Sequence, residues 1–136
     1  MLLLLSTLAV PAFAADPKTV ELAASYQPTW GGEIASTLND LLPVLGRVAG
    51  YEINLLVGFN QRKEAVEITL FGGRTTIDSA KSSTDDFRSK VLAGALTVLA
   101  GTYGITLRPD QYRITYVNQE SKKALLIFED GKYTVL

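Results

Sequence analysis

The stretch from Ser83 to Gly104, STDDFRSKVLAGALTVLAGTYG, constrains this chain more than any other. At about 100° per residue, Leu92, Leu96, Leu99 and Tyr103 fall in one stripe, flanked by Phe87, Val91 and Val98. Such a face must be covered. Ser83 is placed to cap the helix with Asp86 three residues on, and Asp85 and Asp86 lie where the helix dipole favours negative charge. The remaining side carries Ala93, Gly94, Thr97, Ala100 and Gly101, so beyond Lys90 the helix has no charged face. Small residues there permit close approach by another helix or by a second molecule, which marks Gly94, Thr97 and Gly101 as candidate interface residues.

Neither cysteine nor histidine occurs in the 136 residues. Disulfides, thiolate catalysis, Ser-His-Asp triads, His or Cys metal sites and histidine pH switching are therefore excluded. Thirteen basic against fourteen acidic residues argue against a nucleic-acid partner found by electrostatic attraction. No cofactor motif is present. Ala80-Lys81-Ser82 lacks the glycine spacing of a phosphate loop, and no EF-hand ligand pattern occurs, so no metal is expected.

The chain begins with an apolar run that closes on Ala12-Phe13-Ala14, small residues at the positions a signal peptidase reads. Cleavage after Ala14 is expected, with export to the periplasm or beyond and no stable membrane insertion afterwards. The run is shorter than the roughly 20 residues of a membrane span. The missing Lys or Arg before it implies an atypical signal or a start codon placed late. Residues 15–136 then form one domain.

Period-2 alternation predicts strands over Lys18 to Tyr26, Tyr51 to Asn60, Glu64 to Phe71 and Tyr112 to Val117, with further strands at Ala124 to Phe128 and Tyr133 to Leu136. Ile34, Leu38, Leu41, Leu42, Leu45 and Val48 predict a helix that either kinks near Asn39 or restarts with Pro43 in its first turn, and that stops at Gly50. Ile105 and Leu107 read as extended. Asp130-Gly131 signals a type I′ hairpin that sets Glu129 opposite Lys132. The order β-α-β-β-α-β-β-β implies an α+β two-layer sandwich. Its antiparallel or mixed sheet of five to six strands carries two helices on one face, in a split-βαβ-like order.

Two further readings compete with a protein-binding module. Gly72 to Ser82 reads as a long loop whose Arg74 and Lys81, with Trp30 in the Gln27 to Gly32 loop, would bind an anion or sugar. Alternatively, Glu52, Glu64 and Glu67 would serve a carboxylate-based hydrolase, although like-charged neighbours on a solvated sheet are the ordinary arrangement. With no catalytic constellation legible, an exported interaction or assembly domain that binds a protein partner or its own copy accounts for most of these features.

Overall fold

The computed structural model describes residues 29–51 and 54–136. The expected signal segment, the strand over Lys18 to Tyr26 and the Glu52-Ile53 pair lie outside them. Helix α1 spans Thr29–Ala49, so the backbone of Trp30 sits in its first turn and not in a loop. Pro43 interrupts nothing: its missing donor is tolerated within one continuous helix. Ile34, Ala35, Leu38 and Leu42 are buried, whereas Val48, expected in the same stripe, is 81% exposed at the C-terminal end. Gly50, at φ +73°, ends the helix in a Schellman motif, with Tyr51 N–H donating to Gly46 O and Gly50 N–H to Arg47 O.

Strands β1 (Asn54–Asn60) and β2 (Ala65–Gly72) form the expected antiparallel hairpin. The second helix, α2, starts earlier than its sequence signals. Thr76 is the N-cap and accepts from Ser79 N–H, and the helix runs from Ile77. Ser83 is therefore no cap. It lies buried inside the helix, where Ile77, Ala80 and Thr84 carry the apolar stripe upstream of Phe87. The expected loop shrinks to the few residues before Thr76.

Helix α2 is α-helical over Ile77–Phe87, π-helical over Arg88–Leu92, α-helical over Ala93–Val98 and π-helical over Leu99–Tyr103. Gly104, at φ +69°, closes it as predicted. Ala80, Thr84, Phe87, Val91, Ala95 and Leu99 form its buried line. They are spaced four, three, four, four and four apart, a longer repeat than the 3.6 of an α-helix, and the π turns absorb the difference. This phase shift takes Leu96 to the half-buried edge and leaves Tyr103 39% exposed.

After Gly104 the chain forms no regular element, with Arg108 extended at φ −76° and ψ 157°, until a 3₁₀ turn at Pro109–Gln111 leads into β3 (Tyr112–Asn118). Strands β4 (Ala124–Glu129) and β5 (Lys132–Val135) follow. Asp130 and Gly131 both take positive φ, and Glu129 pairs with Lys132, as the type I′ signal requires.

The architecture is α+β: one five-stranded mixed sheet, in sequence order β1 to β5, with β2 and β3 parallel and every other pair antiparallel. The order of the described elements is as read, but β2 and β3 are immediate neighbours, so the βαβ unit they make with α2 is closed and not split. One continuous core joins Val66, Ile68, Leu70, Ile114, Tyr116, Leu126 and Phe128 of the sheet to both helices.

Candidate interaction surface

The same alternation that feeds the core assigns the other residues of each strand to the opposite sheet face. Among the described residues no helix lies on that face, because α1 and α2 both pack into the core on the other side. Register aligns its side chains in rows. One row reads Leu56, Thr69, Thr115, Ile127 and Thr134 across all five strands. A second joins Asn54, Phe71, Val117 and Ala124, and Leu56 is 61% exposed.

A third row runs Gly58, Glu67, Arg113, Glu129, Lys132. Arg113, its side chain only 17% exposed, sits between two carboxylates: Nη1 is 3.3 Å from Glu67 Oε2 and Nε is 4.0 Å from Glu129 Oε2. The second contact is an ion pair without a hydrogen bond, and this Nε is a buried donor with no hydrogen-bond acceptor. Asn60 Nδ2 donates to the same Glu67 oxygen at 3.0 Å. Glu67 is thus committed to sheet contacts, while Glu64 is exposed at positive φ in the β1–β2 turn. Glu52 lies outside the described residues, so the carboxylate set proposed from sequence is not assembled by the residues described.

The flank of α2 is the second surface. Gly94 faces α1, where an added Cβ would meet Leu45 Cδ1 at 3.7 Å, an ordinary contact. Thr97 is exposed with its hydroxyl donating to Ala93 O, and Gly101 has open space around it. The three residues therefore divide between a helix–helix seam and free surface.

Arg74 is exposed in the connection before α2, its backbone N–H donating to Tyr116 Oη at 3.0 Å and its carbonyl accepting from Asn118 Nδ2 at 2.8 Å. Lys81 lies within α2, its Nζ 5.5 Å from the centre of the Tyr133 ring. The side chain of Trp30 is outside the described set.

Sequence reasoning missed how α2 is clamped to β4 and β5. Tyr133 Oη donates to Asp85, Arg88 pairs with Asp85 at 3.2 Å, and the Arg88 guanidinium stacks 3.7 Å from the centre of the Phe128 ring. Burial, then the hydrogen bond to Asp85, pushes the Tyr133 phenol up to about 12. A raised value keeps it protonated and unsuited to act as a base. Tyr51 likewise is raised, chiefly by burial, while its hydroxyl bonds to Ser83 O and Oγ at 2.8 Å each. It borders a cavity of about 220 Å³ between α1, β1 and α2, lined also by Leu42, Pro43, Arg47, Leu55 and Phe87.

No protein-family model, no curated protein and no solved structure matches this chain. The apolar open face had one signal in the sequence, the nearly continuous apolar run Ala124 to Phe128, which leaves β4 apolar on both sides. The row structure had none, since it depends on register between strands distant in the chain.

Proposed function

We propose that this chain is a non-catalytic interaction module that binds a protein partner or a second copy of itself, and that its contact surface is the open sheet face. The observation that carries this reading is the placement of Leu56, Phe71, Val117 and Ile127, with threonines between them, on the face opposite the helices. A sheet with both faces apolar is ordinarily covered on both. The missing catalytic residue types support the same reading, as do the phenols held protonated by burial. The N-terminal apolar run ending at Ala14 supports export as part of it.

The cavity beside Tyr51 gives the small-ligand reading less support, because its 220 Å³ is below the roughly 300–1,000 Å³ of ordinary ligand pockets. The test compares the chain with Val117→Lys. Solution mass and the proteins co-isolated from an envelope extract should show a second copy or a partner bound to the chain and lost from the variant, with both melting at the same temperature. A chain that stays alone under all conditions, or that turns over a glycoside or ester substrate, would refute the reading.

A further inference from the structure

Resting on that reading, we infer that the occupant of the open sheet face is a second copy of this chain, packed face to face about a two-fold axis running along the strands between β3 and β4. The charged row is the reason. From β2 to β5 it reads Glu67, Arg113, Glu129, Lys132, so the signs alternate: negative, positive, negative, positive. A two-fold axis along the strands lays this row against its own reverse. Centred between β3 and β4, it sets Glu67 opposite Lys132 of the second copy and Arg113 opposite Glu129, and both pairs recur by symmetry.

Other placements lose this match. An axis through β3 or β4 brings Arg113 or Glu129 against itself, and like charges across an interface are costly. A move to the β2–β3 or β4–β5 boundary leaves half of the charges facing uncharged positions or solvent. An axis across the strands would turn the charged row onto the Phe71 and Val117 end. Only the chosen axis pairs all four charges and stacks Thr115 on Ile127 of the second copy. The charged row then forms one rim, Ile127 among Thr69, Thr115 and Thr134 forms the middle, and Phe71, Val117 and Ala124 form the far end, while Leu56 on β1 lies outside the overlap. Strands of the two sheets run nearly aligned, the commoner way for sheets to stack, about 10 Å apart.

The overlap sets the strength. Four strands spaced about 4.8 Å and about six residues of 3.3 Å give a face of roughly 19 by 20 Å in plan, about 400 Å². A stable dimer commonly buries about 800 Å² per partner, so this dimer belongs at the weak, concentration-dependent end.

Sedimentation of the full chain from about 1 μM to 1 mM tests the proposal, with a dissociation constant expected in the micromolar range. Ile127→Lys should weaken the dimer by about tenfold or more, as a charge at the interface centre does. Lys132→Glu, an exposed and structurally mild change, should weaken it less, and raising salt should weaken the unaltered dimer. Because the chain has no cysteine, Thr115→Cys, about 11 Å from its copy across the interface and so beyond disulfide reach, should be joined to that copy by a short bismaleimide cross-linker, and Thr97→Cys on the outer flank of α2 should not. A strictly monomeric chain overturns the inference, and if that monomer still captures another protein the functional reading survives. A dimer indifferent to Ile127→Lys and Lys132→Glu, but lost in Gly101→Leu, overturns the face while retaining self-association.

Discussion

Gly72 shows how one residue can be dictated from far away in the sequence. A Cβ there would lie 2.2 Å from the hydroxyl of Tyr116, a side chain buried in the core whose Oη accepts the Arg74 N–H. Gly72→Ala should therefore destabilise by about 1–3 kcal/mol through overpacking. Denaturant melts of Gly72→Ala, Tyr116→Phe and the pair should show coupling, since the second change removes the clashing oxygen. Tyr133 gives a pH signature. Its phenol titrates at about 12 in the fold and near 10 when unfolded, so between these values the unfolded chain holds fewer protons and stability falls as pH rises. Below pH 10 the contribution is complete. Tyr133→Phe should lower stability by about 1 kcal/mol at pH 7 by removing the bond to Asp85, and should flatten part of the loss between about pH 10 and 12. Melts of both proteins across pH 7 to 12 would check the difference.

Helix α2 is the element whose pattern and structure diverge most usefully. Read at a fixed 100° per residue, Leu96 lies in mid-stripe. The π turns move the buried line to Val91, Ala95 and Leu99. Leu99→Ala should then cost about 2–5 kcal/mol, whereas Leu96→Ala, at the half-buried edge, should cost well under half as much. Chemical denaturation of the two variants ranks them directly, and equal losses would mean the π turns do not persist in solution. At the other edge, Asn39 of α1 reaches over β1, its Oδ1 accepting the Val57 N–H at 3.3 Å. One edge donor is thus covered by a helix side chain, a common way to blunt an open strand.

Among the described residues, the parallel β2–β3 pair is the centre, flanked on both sides and roofed by α2, while β5 is a short edge strand. Hydrogen exchange should reflect this: amides of β2 and β3 should exchange only on global unfolding, and those of β5 through local opening. A β5 as slow as β2 would show that something covers this edge. The sheet has one face in the core and one face bearing apolar rows, and on that second face the functional reading depends.

Periodicity in the sequence determined the α+β class, the order of the described helices and strands, the glycine stops at Gly50 and Gly104 and the Asp130-Gly131 hairpin. These are decided within a few residues, by side-chain alternation and by positive φ, and so are legible locally. The start of α2 is not legible locally, because Thr76 and Ser83 both carry capping hydroxyls and the packing of Ile77 and Ala80 selects the first. The phase of its buried line, the adjacency of β2 and β3 and the row from Glu67 to Lys132 were decided by tertiary structure alone. Each depends on which strands meet and in what register, an outcome of burying one shared core that no single segment encodes.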